Sequence, residues 1–264
     1  MKQLALRLFG HGLTLIFGDT LVLDRWRWLI RYLPPVKGKE RLIDIGCGTG
    51  AFTLGAAKLG YTALGLSWDE RNNNEATARA KTLNLPNARF QTFDLRHLDQ
   101  LPPGQGLFDY AICCENIEHI IGDAKLVRDI HAILAPSGRL LLTSPNFYYR
   151  PMSDGDAGPF EPIEDGRHVR RGYSSAELRE LLEAQGFLVE TIEYCSGYFS
   201  QRITTLLRAL SRLSHKLAWT VTLPLRILPI LFDRPSSRGR RPGYSICAVA
   251  VKPRFAPGKE PHNG

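Results

Sequence analysis

The sequence predicts an α/β fold: a Rossmann-like, seven-stranded, mostly parallel sheet with helices on both faces, plus a helical insertion before the last strand. Three observations predict it. Short apolar runs alternate with amphipathic stretches of about ten residues, the order that parallel strands with crossover helices require. The first run, 41–45, ends in Gly46-Cys47-Gly48-Thr49-Gly50, a bend too tight for side chains. Residues 200–243, rich in leucine and arginine, separate the last two strand-like runs.

The elements follow in order. A helix is expected over 20–33, where Leu21, Leu23, Trp26, Ile30 and Leu33 fall on one side, and Pro34-Pro35 stops it. After the strand 41–45 and its glycine bend, 51–59 reads as a helix ended by Gly60. Residues 62–66 form the second strand, 70–83 an alanine-rich helix, and 88–92 the third strand. The fourth strand is 107–113, followed by a helix over 123–134. Pro136-Ser137-Gly138 turns into the fifth strand, 139–143. A helix over 174–185 takes Ser174 as its N-cap. Strands 187–194 and 244–251 complete the sheet. Within the insertion, Leu206, Leu207, Leu210, Leu213, Leu217 and Val221 recur at helical spacing, with Arg208, Arg212 and Lys216 four residues apart. Pro224 and Pro229 break the stretch that follows.

The 264 residues are 44% hydrophobic, enough for one sizeable core, and carry a formal net charge of +8. The excess charge gathers at Arg167, Arg170 and Arg171 and between Arg202 and Arg241. In the second group it is interleaved with leucine, a pattern that suits an anionic membrane surface or a partner better than a nucleic-acid groove. The plain alternative is that these helices pack on the sheet or form a dimer contact. Cys47, Cys113, Cys114, Cys195 and Cys247 show neither metal-knuckle nor disulfide spacing, which points to a reducing, cytoplasmic compartment. The start carries no signal-peptide pattern, and the apolar runs fall short of the roughly 20 residues of a membrane span.

In an open α/β sheet, ligands bind beyond the carboxyl ends of the strands, so residues just after strands are the candidates. The bend 46–50 offers free N–H groups at a helix start. Gly46, Gly48 and Ala51 also fit the dinucleotide pattern, which keeps a nicotinamide-dependent oxidoreductase open. Asp44 stands in an otherwise apolar strand, and a buried carboxylate there needs a partner such as a cationic ligand group. Asp94 follows the third strand. Glu115, Glu118 and His119 follow the fourth, at spacings that share one face of a helix.

Together LIDIGCGTG, FDYAICCENIEHI and ILAPSGRLLLTSPN resemble the class I S-adenosylmethionine-dependent methyltransferases, nearest in flavour to the ubiquinone-biosynthesis O-methyltransferases. The resemblance covers most of 40–195 and the last strand. It implies a single methyltransferase domain over 1–264: an N-terminal helical extension 1–40, a cofactor-binding core 41–199, a basic amphipathic insertion 200–243, a last strand 244–252 and a polar tail 253–264. By it, S-adenosylmethionine is the cofactor; Asp44, Gly46, Cys47 and Gly48 line its methionine end. Asp94 and Leu95 meet its adenine, and Cys114 lies beside it. The acidic residue that usually holds the ribose is absent; Ser67 stands there, so Ser67 or Asp69 takes the ribose, with Trp68 near the adenine. The alternative for Asp69 is an N-cap of the helix beginning at Glu70. Glu115, Glu118 and His119 are implied ligands of a divalent metal. Glu118 and His119 are also candidate catalytic residues, His119 as general base, the alternative being that both only bond the backbone around the substrate mouth; His168 in the long loop 145–173 is a second candidate base. Methyl transfer to a small-molecule or lipid-linked acceptor, at oxygen, is the function implied. A non-catalytic cofactor-binding protein is the non-enzyme alternative. No nucleic-acid partner is expected, because no N/D-P-P-Y stretch follows the fourth strand.

Overall fold

The computed structural model describes residues 2–16, 18–102, 106–152, 154–234 and 243–254. The polar tail beyond 254 and residues 235–242 of the insertion lie outside them. Seven strands form one sheet in the order β3-β2-β1-β4-β5-β7-β6. They are β1 (Arg41–Ile45), β2 (Thr62–Ser67), β3 (Ala88–Thr92), β4 (Phe108–Cys114), β5 (Leu134–Pro145), β6 (Leu188–Cys195) and β7 (Ser245–Val251). β7 runs antiparallel to β5 and β6, and the other pairings are parallel. The strand order reverses between β1 and β4, which puts the ligand crevice beyond the ends of those two strands.

Alternation along the strands builds the two core layers. Ile43, Ile45, Leu64, Leu66, Ala111 and Cys113 face one way, against Leu126, Val127 and Ile130 of α5 (Asp123–Ile133) and Leu178 and Leu182 of α6 (Ser175–Ala184). Leu42, Ala63, Ile112 and Val249 face the other, against Phe52, Ala56 and Ala57 of α3 (Ala51–Lys58) and Trp28 and Leu29 of α2 (Thr20–Leu29). α4 (Glu70–Thr82) buries only Asn73, Ala76 and Ala80, one small face under an otherwise polar helix. Ser174 caps α6 in a reciprocal pair with Glu177.

The N-terminal segment is part of this core. The Trp28 indole is fully buried and its Nε1 donates to Glu193 of β6, which also accepts from Arg31 and Tyr32. α1 (Lys2–Ile16) lies outside α2, and His11 reaches the carbonyl of Ala51 at the start of α3.

The insertion folds as α7 (Tyr198–Ser211), α8 (His215–Thr222), a 3-10 turn at Pro224–Arg226 and α9 (Ile227–Phe232). Its inner side packs: Ile203 and Thr204 are buried, and Thr204 meets Thr20 of α2 at 3.2 Å. Its outer side is apolar and exposed at Leu213, Leu217, Trp219, Val221, Leu223, Leu231 and Phe232. The basic row divides. Arg208 pairs with Asp156 at 2.8 Å, while Arg212 and Lys216 are exposed. Arg226 is buried and stacked 3.9 Å over Trp219. No helix among the described residues is long and apolar enough to cross a membrane.

Candidate active site

The bend after β1 is held by backbone bonds: the N–H groups of Gly46 and Cys47 both donate to the carbonyl of Leu66 at the end of β2. Gly46 (φ 84°) cannot carry a side chain, because a Cβ would lie 2.6 Å from Asn116. Gly48 (φ 50°) differs, for a Cβ there would meet nothing within 4 Å. Gly46 therefore makes room for the protein's own loop, and Gly48 borders open space.

Beneath the bend, Asp44 is 1% exposed. Its Oδ2 accepts from Thr53 N (3.0 Å) and Thr53 Oγ1 (2.6 Å), while Oδ1 is buried without a partner. Burial pushes its carboxyl up to about 6, against the pull of the two Thr53 bonds. The Cys47 thiol is raised by burial and then by the neighbouring Asp44.

A cavity of about 690 Å³ is lined from the ends of β2, β3 and β4 and from the long loop after β5; Asn116, which backs Gly46, lines it, whereas Asp44, Gly46, Cys47 and Gly48 do not. Trp68, Asp94, Leu95, Glu115, Asn116 and His119 all contribute to it. Trp68 is exposed at its rim and faces Gly166 of the loop. Ser67 is buried, and its Oγ accepts from Asp69 N at 3.3 Å. Asp69 caps α4, accepting from Arg71 N and pairing with the Arg71 guanidinium at 3.0 Å. The N-cap alternative thus describes Asp69 in this structure. Asp94 caps the 3-10 turn Leu95–Gln100 and is held by Arg96, which lowers its carboxyl; both line the cavity. Cys114 is buried at the end of β4.

The cluster after β4 is not helical where the spacing predicted a shared helix face. Glu115 sits in the left-handed region (φ 48°), and only Ile117–His119 makes a 3-10 turn. Glu115 is held by Arg25 of α2 (3.1 Å), Thr143 (3.0 Å) and Ser245 (2.9 Å), so it is spoken for. Glu118 is fully buried: Ser144 donates to its Oε2 (3.2 Å), and Oε1 has no partner. Burial, then the Glu115 charge, holds the Glu118 carboxyl well above the usual range. His119 Nδ1 meets the Arg167 carbonyl at 3.1 Å, and its Nε2 lies 4.0 Å from Glu118 Oε1. His168 closes the group from the loop, its ring 4.7 Å from that of His119, and burial lowers its imidazole to about 4. Of the implied metal set, Glu118 and His119 converge with His168 in this structure, while Glu115 is turned to Arg25, Thr143 and Ser245.

Sequence reading missed Arg25, Thr53, Asn73 and Asn116. Asn73 joins β2 to β3, donating to the Ser67 carbonyl and to Thr92. Asn116 backs Gly46, with a buried Nδ2 that lacks a partner.

These features fit S-adenosylmethionine. Asp44 Oδ1 is a buried carboxylate oxygen with no hydrogen-bond partner, Gly48 borders open space, and the cavity falls within the roughly 300–1,000 Å³ of small-molecule sites. Comparisons with known proteins agree. The model of the methyltransferase domain family matches residues 22–192. A protein of Mycolicibacterium smegmatis named a probable S-adenosylmethionine-dependent methyltransferase is 31% identical over 152 residues, 56% of this chain and 52% of its own length. The ubiquinone biosynthesis O-methyltransferase of Albidiferax ferrireducens is 30% identical over 122 residues, 46% of this chain and 47% of its own. The chain thus spans about half the length of the curated relatives it matches. Among solved structures, phosphoethanolamine N-methyltransferase 2 of Haemonchus contortus, in complex with S-adenosylmethionine, superposes with a TM-score of 0.62 at 18% identity, over 96% of this chain and 60% of that one. The match over 22–192 covers more than half of the sequence and decides against a nicotinamide-dependent oxidoreductase: the chain belongs to the methyltransferase domain family, with the Rossmann-like fold of the class I S-adenosylmethionine-dependent methyltransferases.

Proposed function

We propose that this chain transfers a methyl group from S-adenosylmethionine to an oxygen of a small, apolar or lipid-linked acceptor, working in the cytoplasm against an anionic membrane surface. The observation that carries the first half is the partnerless, buried Asp44 Oδ1 under the glycine bend. An ionised carboxylate there costs several kcal/mol unless a cation meets it. The bound cofactor supplies a sulfonium methyl open to in-line displacement. The chain's own residues do the rest. Asp44 grips the cationic end, and Gly48 lets the ligand lie against backbone. Leu95, Trp68 and Asp94 border the cavity for the nucleoside. Collinear placement of donor and acceptor can account for about 7–11 kcal/mol of the barrier.

His119 lines the large cavity, and His168 lines a second one of about 360 Å³ formed by the loop after β5 around Phe160 and Ile163. The wall of Glu118, His119 and His168 therefore stands between a donor space and a smaller, partly apolar space suited to the acceptor. The bond from Nδ1 to the Arg167 carbonyl leaves His119 Nε2 its lone pair, which can take the acceptor's proton or an ion, one at a time. The likeness to the Albidiferax ubiquinone biosynthesis O-methyltransferase supports oxygen as the methylated atom. The exposed leucines and Arg212 and Lys216 of the insertion support the membrane surface.

The test is transfer of labelled methyl from S-adenosylmethionine into a lipid extract. Label is expected in an organic-phase product, and a loss of that label with Asp44→Asn. Label confined to protein or nucleic acid would overturn the reading.

A further inference from the structure

The side-chain wall between the two cavities has the make-up of a cation site, and its composition differs from the set that the family resemblance implies. We propose that Glu118, His119 and His168 bind one divalent transition-metal ion, and that binding locks the loop carrying His168 against the turn after β4, where backbone bonds already hold it. It deepens the reading of the wall just given, yet stands on the donor atoms alone.

Three observations carry it. One donor atom from each residue lies within 4.8 Å of the other two. Glu118 Oε1 is fully buried, has no hydrogen-bond partner and faces His119 Nε2 at 4.0 Å. A desolvated carboxylate oxygen aimed at imidazole nitrogens is a group waiting for a positive charge. Finally, the donors are already oriented. His119 Nδ1 is held by the Arg167 carbonyl, which turns Nε2 inward, and Ser144 fixes the other oxygen of Glu118. The charges beside His168 cancel, since Asp156 and Arg208 pair with each other at 2.8 Å.

Glu115 is excluded as a ligand by its bonds to Arg25, Thr143 and Ser245. Replacing that carboxylate by His168 changes the ion. Two imidazoles and one carboxylate suit zinc, iron(II) or manganese rather than magnesium, which asks for oxygen donors. Ligand atoms about 2.1 Å from a tetrahedral ion stand roughly 3.4 Å apart, so the present spacing must close by about 1 Å. Of the three ligands, His168 alone sits on the long loop after β5, and a side-chain rotation there can close most of that distance. Arg167 and Val169 flank it, and the backbone N–H of Val169 donates to the Glu118 carbonyl at 2.9 Å, so the loop is tethered close by. With the ion bound, both imidazoles are ligands and neither serves as a base.

The experiment is calorimetric titration of chelator-stripped, full-length protein with zinc and with magnesium, followed by trypsin digestion with and without zinc. One zinc per chain is expected, with much weaker magnesium binding. Glu118→Gln, His119→Ala and His168→Ala should each weaken zinc binding at least about tenfold. His131→Ala, on α5 beside Phe187, should not. Zinc should slow cleavage at Arg167, Arg170 and Arg171. No zinc uptake by the wild type, or wild-type uptake by His168→Ala, overturns the proposal. So does a loss with Glu115→Gln equal to that with Glu118→Gln; His168→Ala still decides if Glu115→Gln fails to fold. S-adenosylhomocysteine binding in the same sample separates this outcome from failure of the methyl-transfer reading.

Discussion

Asp44 is a carboxylate whose environment is incomplete, and the pH dependence of binding follows from that. Its folded pKa is raised to about 6 by burial. In the free protein the folded state therefore holds a proton that the unfolded chain has lost. The stabilisation from the protonated carboxyl is present below the ordinary carboxylate range and is lost as pH rises through about 6. A cationic ligand reverses the preference, because it binds the ionised form. Affinity for S-adenosylmethionine should thus rise with pH through 6, and be about tenfold weaker at pH 5 than at pH 7. Asp44→Asn should weaken binding at pH 7 by about 1.5–3 kcal/mol and flatten that dependence. Titrations across this range check both; a wild-type affinity that does not change with pH would count against an ionised Asp44 as the grip.

At this scale the sequence was partly legible. A carboxylate two residues before a glycine bend, inside an apolar strand, announces itself. The partners that decide the other residues' roles do not. Asp69 and Asp94 are each taken by an arginine two residues on, Arg71 and Arg96. Glu115, Glu118 and His119 were read at helical spacing, but Glu115 adopts a positive φ and faces an arginine ninety positions earlier in the chain. A pairing that distant leaves no local pattern.

Among the elements, the alternating strands and helices were readable because period and burial agree: strand runs that are apolar on both faces, and helices with one apolar side. α2 was readable as a helix but not as a core element. Its role rests on Trp28, whose indole meets Glu193 across the fold. Trp28→Ala should cost about 3–5 kcal/mol through the cavity and the lost bond, read as a lower denaturant midpoint. A change under about 1 kcal/mol would mean that α2 is an accessory to the sheet rather than part of it. The insertion shows the reverse limit. Its leucine spacing predicted helices correctly, and α8 ends two residues before the first of the two prolines. Spacing alone could not tell which leucines pack against α2 and which stay outside.

For the whole molecule, charge and exposed apolar area act together. The net charge is +8, and the outer side of the insertion exposes Leu213 at 78% and Phe232 at 61%. Apolar side chains beside basic residues bind anionic bilayers by burial and by attraction at once, and the second contribution fades with salt. Leu213→Glu with Leu217→Glu should reduce co-sedimentation with vesicles of anionic lipid several-fold without unfolding the protein. Equal pelleting of variant and wild type would remove the membrane from the account and leave a contact between protein surfaces.

The central claim is that the crevice at the carboxyl end of the sheet, with the glycine bend after β1 and the cavity beyond β2, β3 and β4, receives a sulfonium nucleoside. Its most direct test is calorimetric titration of the purified chain at pH 7 with S-adenosylmethionine and, separately, with NAD. One molecule of S-adenosylmethionine should bind per chain, and NAD should give no heat. Binding of NAD in place of S-adenosylmethionine, or of neither, would contradict the account.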